Sequence, residues 1–262
     1  MTEQTEQTEQ TEQTEQTEQT EQTEQTEQTE QTEQTEQTER VEPAERTERP
    51  EAAQSPDHGR ALTERAVARV RVDPSRQVLE HNRFAGPWVE GPLRPRPDLT
   101  AFPSGHPLPP SLRAWLAYDS GMLERHGWFD RSGALAPRTL GEIAVVEYGE
   151  LWGSCFEPFS ALFGECFLLP GGSDSRRVLS VGPHGERDEL GEYPVFALDV
   201  DDLPYAVLMY PGFDVYLAET AGVLPPDDRP GYDSLKHDPR YAARMRTHAR
   251  GRLKGEYDLL CL

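Results

Sequence analysis

Apolar positions recur with a helical period in several stretches of the chain. Leu112, Trp115, Leu116 and Met122 follow the start signal Pro109-Pro110-Ser111, and Gly121 stands where a left-handed C-cap belongs, so the spacing predicts a helix. Beyond Pro211-Gly212, Phe213, Tyr216, Leu217, Ala221 and Leu224 fall on one helical face, with Asp214 in the first turn. Tyr241 to Lys254 reads as a last, basic helix, and Trp152, Phe156, Phe159 and Phe163 are spaced as a buried helix face. Elsewhere the period shortens. Ile143–Tyr148, Cys166–Leu169, Arg177–Val181, Tyr193–Leu198 and Tyr205–Tyr210 are short apolar runs between Gly, Ser, Asp and Pro turns, and read as strands. Gly59–Val72 fits both periods, because Leu62, Ala66, Val67 and Val70 are helical while Val70 and Val72 alternate with Arg69 and Arg71.

Proline and repetition mark what lies between. Eight prolines from Pro87 to Pro110 predict an extended segment laid over a surface and pinned by Trp88, Leu93 and Phe102. After Met1 the chain repeats Thr-Glu-Gln twelve times and closes on Thr38-Glu39-Arg40. No residue of that repeat is apolar, so it has nothing to bury and is expected to be disordered. The elements together predict an α+β fold: a single domain with a mainly antiparallel sheet flanked by helices, gathered on one face, behind a disordered repeat tail. Residues 1–40 are the repeat, 41–75 a linker or marginal helix, and 76–262 the folded domain.

Charge changes the picture once it is divided. The chain carries a net charge of −21, of which the repeat, with 13 Glu and one Arg, holds −12. The remaining 222 residues are mildly acidic, which argues against direct nucleic-acid binding. An apolar run long enough to span a membrane is missing, as is an apolar secretory leader, so the expected compartment is the cytoplasm. Within the domain, residues 186–202 are net −6 and residues 236–254 net +6, so the two segments can face each other or an outside partner.

Candidate chemistry is thin. Gly153-Ser154-Cys155-Phe156 has the flavour of a thiol-protease nucleophile, but Trp152 replaces the preceding Cys of that motif, and His184, His237 and His248 follow too closely. Cys155 and Cys166 read better as small apolar residues, and three cysteines with Cys261 make neither a disulfide framework nor a zinc site. Asp199-Val200-Asp201-Asp202 follows an apolar strand where a metal-binding Asp-x-Asp can sit, yet an acidic turn explains it as simply. Gly171-Gly172-Ser173 lacks the Lys of a phosphate cradle and reads as a turn. No cofactor or metal is expected.

Three segments together resemble a known family. LPPSLRAWLAYDSG, Leu108 to Gly121, is similar to the opening signature of the SMI1/KNR4, or SUKH, superfamily: Leu-Pro, a helix of aromatic and leucine anchors, then Gly. EYPVFALDVDDLPYAVLMY, Glu192 to Tyr210, resembles that family's paired strands around an acidic turn, and PGFDVYLAETAGVL, Pro211 to Leu224, its closing helix. The resemblance covers residues 108–224 and implies an α+β protein-binding domain without enzymatic activity. Bacterial members are read as immunity proteins that neutralise toxins, frequently nucleases, delivered between cells. On that implication the chain binds a protein toxin, and Asp199, Asp201, Asp202 and Tyr205 form an acidic partner-binding edge suited to a basic nuclease. A regulatory adaptor of the same fold and a hydrolase using Cys155 are the alternatives.

Overall fold

The computed structural model describes residues 57–75, 86–171, 175–201, 203–224 and 234–260. The Thr-Glu-Gln repeat, the linker up to residue 56, Cys261, Asp202 and the Gly172-Ser173 part of the glycine turn lie outside the described residues.

The ambiguous segment is helical from end to end. Helix α1 (Gly59–Val72) buries Leu62, Ala66, Val67 and Val70 as one stripe and leaves Val72 exposed. The 3.6-residue period wins over the Val-Arg alternation because it gathers Leu62, Ala66, Val67 and Val70 against α2 (Pro110–Leu116) and α7 (Phe213–Thr220). In α2, Pro110 occupies the first turn, where its missing N–H costs nothing, and Leu112, Trp115 and Leu116 are fully buried. Gly121 does not cap that helix. It opens α3 (Gly121–Arg125), its N–H donating to Asp119 Oδ2 at 3.0 Å, and a Cβ there would meet the same oxygen at 3.0 Å. Close approach to a carboxylate, rather than a left-handed turn, is what favours glycine. Along the proline-rich segment, Trp88 packs edge-on against Trp115 and Phe102 against Phe167 and Tyr193, whereas Leu93 is half exposed and pins nothing.

The apolar run Ile143–Tyr148, expected as a strand, is helical. It belongs to α4 (Leu140–Tyr148), which starts on a capping box: Thr139 accepts from the Glu142 N–H while Glu142 accepts from the Thr139 N–H. Two first-turn donors are thereby satisfied, and a β-rich run folds as helix once its entry is fixed. Gly149 turns the chain at φ 108° into α5 (Glu150–Phe156), and a 3-10 turn (Glu157–Phe159) leads to α6 (Ser160–Phe163). The aromatic stripe is therefore real but bent at Pro158, burying Phe156 and Phe163 completely and Trp152 and Phe159 in part.

The sheet is a meander of β1 (Cys166–Leu169), β2 (Arg176–Ser180), β3 (Val195–Asp199), β4 (Tyr205–Tyr210) and β5 (Asp258–Leu260), paired antiparallel in that order. Its fifth strand comes from the C-terminal segment. Every residue of β1, β2 and β3 is buried, and successive strand residues point to opposite faces, so both faces are covered. Helices lie on both sides rather than on one. The α4–α6 layer meets one face through Phe163 on Phe196 and through the Glu147–Arg176 ion pair. The other face receives Trp128 and Phe102 on Phe167, and Tyr216 of α7 on Tyr210. Helices α8 (Ser234–His237) and α9 (Ala242–Leu253) follow, and α9 packs near β4. Among the described residues no helix is long and apolar enough to cross a membrane.

Candidate functional site

The acidic junction forms where β3 ends and β4 begins. Asp199, the last residue of β3, pairs with Tyr205, and Tyr205 pairs with Leu260 of β5, so the three stand in one row on one face of the sheet. Asp199 is only 5% exposed, and its Oδ1 accepts the Asp201 N–H at 3.0 Å. Its carboxylate thus shapes the turn. Asp201 is exposed and Tyr205 half-buried. Beside them stand two large apolar residues that the sequence did not single out, Leu203 at 54% and Leu260 at 47% exposure, with Asp258 exposed two residues before Leu260. Leu203 was visible as the one large apolar residue between the acidic run and β4; Leu260 was not, because three residues beyond Gly255 carry no period.

The two edges of the sheet differ. Beyond β1, Arg138 exchanges both backbone hydrogen bonds with Cys166 at 3.0 Å, so that edge is closed by a loop. Among the described residues β5 is the outermost strand on the other side, and an edge strand presents unpaired backbone groups to whatever approaches.

The other half of the acidic run turns inward onto α9. Arg244 is 2% exposed and lies between two fully buried carboxylates, donating from Nε to Asp188 at 2.5 Å and from Nη1 and Nη2 to Asp214 at 2.8 and 3.0 Å. The Gly59 N–H at the start of α1 donates to Asp214 at 2.6 Å, and Ser111 of α2 donates through both N–H and hydroxyl to Glu192. His248 donates from Nε2 to the Pro211 carbonyl at 2.9 Å, and Arg252 reaches the Ser180 carbonyl at 2.9 Å. Burial raises the Asp188 carboxyl against the pull of Arg244, whereas for Asp214, also buried, the two contacts with Arg244 win and lower it. Glu192 has no cation of its own; burial, then the charge of Asp214, pushes it up to about 8. Burial drives His248 down to about 3, so it is neutral. This cluster ties α1, α2, α7, α9 and the 186–192 loop into one unit, and none of it is exposed enough to meet a partner.

The thiol motif gains nothing from the fold. Cys155 sits half-buried in α5, while His248, one of the three histidines considered for it, is held by Pro211. Cys166 is fully buried in β1, and burial pushes its thiol up to about 12. Among the described residues no three His, Cys, Asp or Glu side chains are grouped to hold a metal ion. No family model, curated protein or solved structure matches the chain.

Proposed function

We propose that the chain is a non-enzymatic protein-binding domain of SUKH type, an immunity protein that neutralises a cognate toxin in the cytoplasm, and that the toxin docks on the β4–β5 edge. One observation supports this reading above the others: exposed Leu203 and Leu260 flank Tyr205 beside Asp201 and Asp258, on the side of the sheet that no loop closes among the described residues. Apolar anchors inside an acidic rim suit a basic protein surface, with the leucines and tyrosine supplying affinity and the carboxylates steering the encounter. Asp199 contributes by fixing the turn that presents Asp201. Asp202 completes the acidic run in sequence.

The partner to try is the product of the gene next to this one. Leu203→Asp and Tyr205→Ala are expected to weaken its binding at least tenfold and to abolish protection of growth, with thermal unfolding unchanged for exposed Leu203→Asp. Wild-type binding by both variants refutes the edge. Failure of any neighbouring toxin to bind refutes immunity and leaves a regulatory adaptor of the same fold.

A further inference from the structure

On the opposite register of charge, α1 and α2 enclose a groove between them. Two adjoining clefts, about 300 and 340 Å³, share Arg60, Ala114 and Ala117 as lining residues. The first is walled by Leu99, Leu108 and Pro110, with Arg113 at its mouth. The second runs along Val67 to Tyr118, where the Arg71 guanidinium lies 5.0 Å from the ring centroid. Arg60 pairs with Glu64 at 2.8 Å, but both side chains are more than half exposed, so water and salt weaken that pair. Arg113 is exposed, and its guanidinium has no hydrogen-bond or ion-pair partner among the described residues. Three guanidiniums against one carboxylate make this groove an island of positive charge in an acidic chain.

We propose that the α1–α2 groove binds an acidic protein segment carrying aliphatic side chains, at a site separate from the β4–β5 edge and independent of the toxin-binding reading. An aliphatic side chain fills the cleft between Leu99, Leu108 and Pro110, and carboxylates on either side of it pair with Arg113 and Arg60. Arg113, planar and unpaired, offers a bidentate fork to one of them. The apolar wall argues against a bare anion, which has no use for it, and the cationic rim argues against a neutral peptide, which leaves the guanidiniums unanswered. Ala114 and Ala117 line both clefts, and their short side chains leave the space between the two open.

The probe is a fluorescein-labelled peptide of alternating Glu and Leu, titrated with the full chain and followed by anisotropy. Gln-Leu, Glu-Ser and Lys-Leu peptides are the comparisons. Binding of the Glu-Leu peptide is expected to exceed that of all three at least tenfold and to weaken as salt rises. Arg60→Gln with Arg113→Gln removes the charge, and Ala117→Trp fills both clefts without touching charge; each is expected to cost tenfold or more while thermal unfolding stays as in the parent. Asp201→Lys, on the other site, leaves peptide binding unchanged. Equal binding of the Glu-Ser peptide, full displacement by millimolar inorganic phosphate, or undiminished binding by either groove variant overturns the proposal, as does failure of the Glu-Leu peptide to bind.

Discussion

The acidic run 186–202 looks uniform in sequence, but its two halves do opposite things. Asp188 and Glu192 sit in a loop that passes over the first turns of α2 and α9, so their carboxylates are fully buried against Arg244, Ser111 and Asp214. Asp201 lies just past the end of β3, where a hairpin link must cross the rim of the sheet, and it faces water. Composition set the charge; topology decided whether it was spent inside or outside. A −6 segment opposite a +6 segment is thus half an internal match and half a surface.

The inner half is the one whose loss is expected to matter most. Arg244→Met keeps the stem and removes the guanidinium, leaving Asp188 and Asp214 buried with no cation between them, and is expected to cost about 3–5 kcal/mol. Denaturant unfolding checks this, and a cost below about 1 kcal/mol would mean that the cluster is wetter than its burial indicates. Apolar anchors beside it provide the scale. Phe213, next to Asp214 in α7, and Trp115 in α2 are both fully buried, and either changed to Ala is expected to cost about 3–5 kcal/mol through lost burial and the cavity left behind. If Arg244→Met proves far milder than Phe213→Ala, α7 is held by its apolar face and the ions only orient it.

A subtler break uses pH. Glu192 is raised from 4.5 to about 8, so between those values the folded chain holds a proton that the unfolded chain releases, and stability falls as pH rises. His248 works the other way: lowered from 6.5 to about 3, it stays neutral when folded, and stability falls as pH drops below 6.5. The lowered Asp214 loses its contribution only in more acidic solution still. Above pH 6.5 the Glu192 effect therefore stands alone among these three. Stability is expected to decline from pH 6.5 to 8 by at most about 1.4 kcal/mol per pH unit, and Glu192→Gln, which mimics the protonated form, is expected to flatten that decline. Parallel profiles for both proteins would assign the slope elsewhere.

The elements with a long, single period were legible. Phe213 to Leu217 and the Cys166, Val195 and Tyr205 runs needed no tertiary information beyond burial. Where reading failed, a neighbour outside the window decided. Ile143–Tyr148 has strand composition, and Thr139 with Glu142 converts it to helix; the signal T-x-x-E was present and outweighs the run behind it. Placing helices on one face failed because strands buried on both faces show continuous apolar runs, as VFAL does, and the alternation that reveals a wet face is then missing. Of the acidic edge, Asp201 and Tyr205 were legible as residues at a strand junction. That Asp199 turns inward depends on its pairing with Tyr205, and Leu260 beside it depends on β5 arriving from more than 50 residues away, neither of which any local pattern encodes.

The smallest expected effect on stability tests the outer half. Asp201→Lys reverses the charge of an exposed residue, so the unfolding free energy is expected to move by no more than about 1 kcal/mol. Association with a basic partner is another matter, because long-range attraction acts before contact. The same variant is expected to slow association several-fold at low salt and much less at physiological salt, while Leu203→Asp acts on dissociation instead. This split separates steering from anchoring, and it also separates the two halves of the acidic run. If Asp201→Lys unfolds the domain as readily as the loss of Arg244, the junction is a structural ion site like the one around Asp188, and the edge has no claim on a partner. If stability holds and both rates are unchanged, the partner docks elsewhere. Only unchanged stability with slowed, salt-sensitive association fits an acidic edge that steers another protein.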